Sequence, residues 1–343
     1  MYYKRIFAFL SIVVIVLSSC ENREISFSDF DYQTVYFANQ FPVRTLQLGE
    51  DLFVDTSLDN QYKVAIKATM GGVYSNTKDR VISFRVENSL CEGLYFDNDM
   101  KVTPMPSNYY ELGSDKIVIP SGSILGGVEV QFTNAFFEDP QTINRTYVIP
   151  LLMTGVTGGD SILQGNPLVE NPNRCLSDNW SIQPKDFVLY AVKYVNTWHG
   201  NYLRRGVDQR TMSNGATDTQ IRHNKFVEND ELVSISTKSL NEAILPLAIR
   251  DISGNAVNFN LHLTFAEDGT CAVSGNTDAY EITGIGKFVS QGEKQSLGGY
   301  DRDALYLDYN VNFKNLNVQY ATKDTLVVRD RGVAPEYFTV TLK

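Results

Sequence analysis

Histidine is scarce in this chain. The three that exist, His199, His223 and His262, never stand at the H-x-x-x-H or H-E-x-x-H spacing that puts two imidazoles on one metal. Cysteine is nearly as rare, with four in 343 residues and no C-x-x-C pair, so neither a zinc knuckle nor a dithiol redox motif is encoded. No G-x-S-x-G elbow and no phosphate-binding glycine loop occurs. Asp97-Asn98-Asp99 lacks the glycine and distal glutamate of an EF-hand loop and reads as a turn. Positive charge is lacking too. The formal charge is −10 with no basic cluster, which excludes nucleic acid and anionic lipid headgroups as natural partners. No metal and no cofactor is implied.

Long apolar runs are also missing, with one exception. Met1-Tyr2-Tyr3-Lys4-Arg5 is followed by Ile6 to Leu17, broken only by Ser11, which is the layout of a signal peptide. A twelve-residue helix spans about 18 Å, short of the roughly 30 Å hydrocarbon core, so the run is not a permanent anchor. At its end stands Leu17-Ser18-Ser19-Cys20, which resembles the lipobox of bacterial lipoproteins. That resemblance implies cleavage before Cys20 and lipidation of its sulfur and new amino group. An ordinary signal sequence with a chance cysteine is the alternative. Once Cys20 is lipidated, Cys91, Cys175 and Cys271 remain, an odd number in three separate regions and no disulfide framework.

The rest of the chain keeps a two-residue period. Tyr62, Val64, Ile66, Ala68 and Met70 form one apolar row, and Ile82, Phe84, Val86 and Val128, Val130, Phe132 form two more. With 34–38, 44–48, 116–119 and 147–153 this makes about seven strands in residues 33–155, the size of an immunoglobulin-like sandwich. Residues 156–186 lose the alternation and gather Gly, Pro and Asn, and read as an interdomain linker with Trp180 as the anchor for any part that packs. Alternation returns in 187–343, in Phe259, Leu261, Leu263, Phe265 and in Leu305, Leu307, Tyr309, Val311, Phe313. Eight to ten strands there, 187–195 and 337–342 among them, suit a closed antiparallel barrel. Gly284 and Gly286 suggest a bulge in one of them. The expected class is all-β: signal peptide 1–19, tether 20–32, sandwich 33–155, linker 156–186, barrel 187–343.

Several short segments add to this: Val156-Thr157-Gly158-Gly159-Asp160, Asn173-Arg174-Cys175, Gln183-Pro184-Lys185-Asp186-Phe187, Trp198-His199-Gly200-Asn201-Tyr202 and Gly284-Ile285-Gly286-Lys287-Phe288. With the lipobox and the two β-rich units, they give a chain that resembles Bacteroidetes lipoproteins of starch-utilisation-type loci. Those proteins pair an N-terminal immunoglobulin-like domain of unknown function with a C-terminal lipocalin-like domain of unknown function. The resemblance implies a non-catalytic lipoprotein of the outer membrane, at the cell surface or on the periplasmic face. It would bind polysaccharide or glycan beside the components of an outer-membrane importer.

A sugar platform needs flat rings and directional hydrogen-bonding groups. Trp198, Gly200 and Tyr202 fall on one strand face with Asn201 and Arg204 nearby, and Trp180 is a second isolated ring. These are the candidate ligand residues, although a Trp and a Tyr at a strand start equally suit the base of a barrel. Asp301 and Asp303, two apart, match the carboxylate spacing of a glycosidase but follow Gly298-Gly299-Tyr300, where acidic side chains serve turns. The alternatives to glycan binding are an assembly lipoprotein that docks another envelope protein and a glycoside-active enzyme.

Overall fold

Alternating burial organises nearly every strand of the computed structural model, which describes residues 30, 32–250 and 254–343. The expected signal peptide, Cys20 and most of the tether lie outside the described residues. Among the described residues, no helix is long and apolar enough to cross a membrane. The chain is all-β, in two units.

The N-terminal unit contains β1 (Thr34–Tyr36), β2 (Pro42–Gln47), β3 (Lys63–Gly71), β4 (Arg80–Val86), β5 (Lys116–Ile119), β6 (Leu125–Phe132), β7 (Tyr147–Thr157) and β8 (Phe187–Val195). They run in the order β1-β3-β6-β5-β4-β7-β8-β2 and form the layers of a sandwich. The predicted rows turn inward except at Val86, which is exposed: Val64, Ile66, Ala68, Met70, Ile82, Phe84, Val128, Val130 and Phe132 share one core. Each fully buried aliphatic side chain there contributes roughly 2 kcal/mol.

Two assignments change. The strand Phe187–Val195, expected to open the barrel, instead pairs antiparallel with β7 and parallel with β2. Its reason is burial on both faces. Val188, Val192 and Tyr194 join the main core, while Phe187, Leu189 and Ala191 pack into a second cluster with Val43, Phe96, Val102 and Phe338. Such a strand reads as a continuous apolar run that fits either unit. The C-terminal segment also leaves the barrel: Glu336–Tyr337 pairs with β2 and Val340–Leu342 with Leu94–Phe96. Residues 156–186 pack in part against the N-terminal unit, with Trp180 as the expected anchor. They carry short strands, and Trp180 is buried with its Nε1–H donating to the Asn173 carbonyl at 2.8 Å.

The passage between units is therefore short, at Asn196–His199. Asn196 is fully buried and donates through Nδ2 to the carbonyls of Ser239 and Glu242. Arg331, returning from the end of the barrel, donates to the carbonyls of His199, Glu50, Leu48 and Asn196 at 2.7–3.1 Å. One guanidinium thus satisfies carbonyls from both units.

The barrel is built from β9 (Gly200–Met212), β10 (Thr217–Arg222), β11 (Glu231–Thr237), β12 (Glu242–Arg250), β13 (Ala256–Phe265), β14 (Thr270–Asn276), β15 (Tyr280–Leu297), β16 (Tyr300–Phe313) and β17 (Val318–Asp330). Eight strands close antiparallel through β9 and β17, with β10 outside the ring beside β9. Gly284 and Gly286 are not a bulge, since they pair in unbroken register with Tyr309 and Leu307. Their role is close approach: a Cβ at Gly284 would sit 2.4 Å from the Tyr309 Cβ, and one at Gly286 2.7 Å from the Cys271 sulfur. The real register shifts come later in β15, around Glu293.

Candidate functional site

The length of β9 creates an opening. Its first residues, Gly200–Arg204, pair with β11, while 206–211 pair with β10 instead. β11 meets β12 only through Ser236↔Ile244 and Thr237↔Ala243, whereas β12 continues to Arg250 along β13 alone. The wall is consequently unpaired between β10 and the far half of β12. A cavity of about 730 Å³ lies at this seam, with Ile221, Arg222 and His223 on one side and Ala248, Ile249 and Arg250 on the other. A further hollow of about 440 Å³ shares Arg210, Ile249, Arg250 and Tyr320 with it and reaches the barrel rim at Met212, Asn214 and Asn317. These sizes fall within the range of small-ligand sites.

Charge lines the inner wall on the apolar phase of the strands. Arg204, two residues beyond the buried Tyr202, donates from Nε to Asp324 at 2.9 Å, from Nη1 to Glu231 at 2.9 Å and from Nη2 to the Tyr309 hydroxyl at 3.2 Å. Tyr309 in turn donates to Asp324 at 2.9 Å. Arg222 enters from β10, donating to both oxygens of Asp208 at 2.7 and 3.0 Å and to Asp324 at 2.6 Å. Thr322 completes the group with a 2.8 Å bond to Asp208. Gly206 makes this convergence sterically feasible, because a Cβ there would meet the Asp324 Oδ1 and the Lys323 carbonyl at 2.3 Å. The apolar remainder of the wall comes from Phe259, Val311, Phe313 and Tyr320.

Burial disfavours the charge on Arg222, but the carboxylates of Asp208 and Asp324 outweigh it and raise its pKa. Burial also pushes the Asp208 carboxyl up, and Arg222 with Thr322 reverses that and holds it below the usual carboxylate range. The Tyr309 hydroxyl is raised by burial and by Asp324. Asp208 and Arg222 are therefore an interlocked ion pair at neutral pH, and the Tyr309 hydroxyl keeps its proton. One donor stands apart: Arg222 Nη1 is buried without an acceptor among the described residues.

Of the candidate ligand residues named from sequence, only Arg204 borders this cavity. Trp198 and Tyr202 form no platform on a shared exposed face. Tyr202 points into the barrel, 1% exposed, and donates to the Trp198 carbonyl at 2.7 Å. Trp198 is half-buried and stacks on Phe265 with centroids 3.8 Å apart and planes within 5°. Together they close the end of the barrel that faces the sandwich. Asn201 is on the outer face, donating to Asp330 and accepting from Ser234 at 2.7 Å each, and Trp180 belongs to the other unit. Asp208, Arg222, Tyr309, Thr322 and Asp324 were missed by sequence reasoning. Their signal was charge on the buried phase: Arg204 and Asp208 fall in step with Tyr202, and Thr322 and Asp324 with Leu326.

Asp301 and Asp303 have a local role. Asp303 accepts from the backbone N–H of Gln291 at 2.8 Å, and Asp301 from that of Gln295 at 3.0 Å. Both glutamines have positive φ, 51° and 46°, at the irregularities of β15. The two carboxylates thus cap successive kinks in the neighbouring strand, and their bonds to backbone explain their spacing. Beside them, Phe53 and Tyr300 are 71% and 52% exposed and pack edge to face at 6.3 Å, with Arg302 over both rings.

Residues 197–332 match a domain of unknown function, DUF5627, and residues 30–160 match the model of an N-terminal domain family. The chain is similar to a structural-genomics protein of unknown function from Bacteroides ovatus, with 55% identity, a TM-score of 0.86, and 92% of this chain and 100% of that one covered. A multidomain protein including DUF1735 from Bacteroides ovatus is 14% identical with a TM-score of 0.40, covering 89% of this chain and 100% of its own. An auxiliary nutrient binding protein from Bacteroides thetaiotaomicron is 10% identical with a TM-score of 0.33, covering 86% and 95%. No curated protein matches the chain. The identity and coverage of the first comparison establish kinship: the chain belongs to the family of that Bacteroides ovatus protein, with a DUF5627 domain as its C-terminal barrel.

Proposed function

We propose that this protein is a non-catalytic, lipid-anchored glycan-binding protein of the outer membrane, tethered through Cys20, that holds glycan for an outer-membrane importer. The observation that carries the binding role is the seam cavity, where directional polar groups face a wall of Phe259, Phe313 and Tyr320. Pyranoses present hydroxyls around their edge and C–H groups on their faces, and this wall offers a partner for each. The carboxylates favour binding over hydrolysis. A glycosidase needs one carboxyl that is protonated at working pH. In this cavity Asp208 is held ionised, and Asp324 accepts three hydrogen bonds from Arg204, Tyr309 and Arg222. Asp230 and Glu231, which also line the cavity, accept from Arg205 at 2.6 Å and from Arg204 at 2.9 Å, so all four carboxylates are tied to guanidiniums.

A glycan-array and affinity-gel screen of the chain from Glu21 onward, with Ile249→Trp alongside, tests this reading. Specific retention that is lost when the indole fills the cavity supports it. Retention of no polysaccharide by the folded chain rejects it. The tether is tested separately, because Cys20→Ala should abolish incorporation of labelled fatty acid and release the protein from the membrane fraction.

A second reading, docking of another envelope protein, is favoured by one feature. Leu52, Phe53 and Val54 are 50%, 71% and 54% exposed in succession at the junction of the two units, next to Tyr300. A contiguous apolar patch of this kind marks protein contact more often than a sugar cleft. Loss of co-purifying importer components on Phe53→Ser, with glycan retention unchanged, would place that contact here.

A further inference from the structure

We propose that the barrel cavity selects neutral, hydroxyl-rich saccharides over uronic or sulfated ones, with Arg222 Nη1 as the donor that reads the bound sugar. The inference rests on the glycan-binding reading and narrows it to a ligand class.

The first argument is the charge of the wall. Arg204 and Arg222 face Asp208, Asp324 and Glu231, and the other charges on the wall, Arg210 and Asp230, are paired with Asp218 and Arg205, so among the described residues Arg250 alone lines the cavity as a cation without a carboxylate. The Arg204 and Arg222 guanidiniums are already engaged by carboxylates in low-exposure geometry. An acidic sugar accepting from Arg222 would bring a further anion beside Asp208 and Asp324, whose carboxylates already neutralise both guanidiniums. Arg250, at the mouth, donates to the Gly254 carbonyl and is exposed, where salt and water screen it. At longer range the chain's formal charge of −10 repels anionic polymers further.

The second argument is the hydrogen-bond inventory that remains. Arg222 Nη1 is buried without an acceptor among the described residues, on a side chain that lines the cavity. Asp208 Oδ2 takes one bond, from Arg222 Nε, and Glu231 takes its bond on Oε2, so both carboxylates keep accepting capacity. The wall thus asks for a group that accepts from Arg222 and donates to a neighbouring carboxylate. A hydroxyl does both at once, whereas a sugar carboxylate or sulfate only accepts. Vicinal hydroxyls on a neutral ring satisfy the pair, with the ring's apolar face toward Phe259 and Phe313.

Affinity electrophoresis and titration calorimetry of the chain from Glu21 onward test this with neutral xylan, mannan and glucan oligosaccharides against polygalacturonate, alginate and sulfated glycans. The expected result is retention of a neutral glycan, with the acidic ones at least about tenfold weaker. Glu231→Gln keeps an acceptor for Arg204 and takes one negative charge from the wall, so it should narrow that difference. Arg222→Lys keeps the charge but loses the guanidinium fork, and should weaken the neutral ligand about tenfold. If Arg222→Lys fails to fold, the Glu231→Gln ratio decides. Equal or tighter binding of an acidic glycan overturns the selectivity and leaves glycan binding standing. Unchanged neutral affinity in a folded Arg222→Lys protein overturns the role of Nη1. Retention of no glycan at all overturns the underlying reading and this one with it.

Discussion

The two halves of the barrel interior are made differently. From β11 round to β16 the inward row is Val233, Ile235, Leu245, Leu261, Leu263, Val273 and Leu305, all buried and apolar. Across β9, β10 and β17 the inward positions carry Arg204, Asp208, Arg222, Thr322 and Asp324, interlocked by short hydrogen bonds. Apolar contacts stabilise in proportion to the surface they remove from water. Buried ion pairs add little net stability, because desolvation offsets their attraction. A barrel under selection for stability alone would be expected to carry the apolar pattern all the way round. The ionic half is therefore better explained by what faces it, which is the open seam and its cavity.

The sharpest way to break this comparison is to remove the hub of the ionic half. Asp324 accepts from Arg204, Tyr309 and Arg222 and has a fully buried side chain. Asp324→Ala leaves two guanidiniums short of their shared anion, and should lower unfolding stability by about 3–5 kcal/mol in urea titrations. The matching change in the apolar half is Leu261→Ala. It removes a side chain with no exposure and should cost about 3 kcal/mol through lost burial and a residual cavity. The two losses differ in function: Leu261→Ala should leave glycan affinity within about twofold, whereas Asp324→Ala should abolish it.

That asymmetry also explains how much could be read beforehand. The rows Phe259–Phe265 and Leu305–Phe313 were legible because one strand face is solvated and the other is not, so hydrophobicity tracks position. Phe187–Val195 was legible as a strand but not as a member of the sandwich, since burial on both faces erases the alternation that would assign it. The return of Phe338 and Val340 to the sandwich rests on tertiary contact that no local pattern encodes. Among candidate site residues Arg204 was found, though for its nearness to Trp198. Two of its three partners, Tyr309 and Asp324, are more than 100 residues away. Only the phase of the charges within β9 and β17 pointed to the network, and a charge on a buried phase is easily taken for an exposed one.

A smaller effect separates the barrel's two ends by pH. His199 sits at the junction with the sandwich, its Nδ1 accepting from the Thr237 N–H at 3.2 Å. Burial, with Arg331 and Lys193 nearby, lowers its pKa from 6.5 to about 4. The folded protein keeps the imidazole neutral where the unfolded chain takes up a proton. Its contribution is fully present above pH 6.5 and is lost as pH falls from 6.5 towards 4, by on the order of 2 kcal/mol. The depressed Asp208 acts at lower pH, below the ordinary carboxylate value of 3.8. The difference in denaturation midpoint between wild type and His199→Gln, followed from pH 7.5 to 4.5, should therefore shrink as the pH falls. A constant difference would remove His199 from the account.

The smallest effect is the most controlled test of the comparison. Lys323 and Asp308 form an ion pair at 3.2 Å on the outside of β17 and β16, with side chains 78% and 56% exposed. Their immediate neighbours in sequence, Asp324 and Tyr309, meet at 2.9 Å on the inside. Backbone, register and strand pairing are thus shared, and only the face differs. In water the outer pair gains little and is screened by salt, so Lys323→Ala should change stability by less than about 0.5 kcal/mol and leave glycan affinity alone. A loss comparable to that of Asp324→Ala would mean that these strands depend on charge as such rather than on charge held away from water. The distinction between the solvated face and the cavity face would then fail as an account of why the barrel carries ions at all.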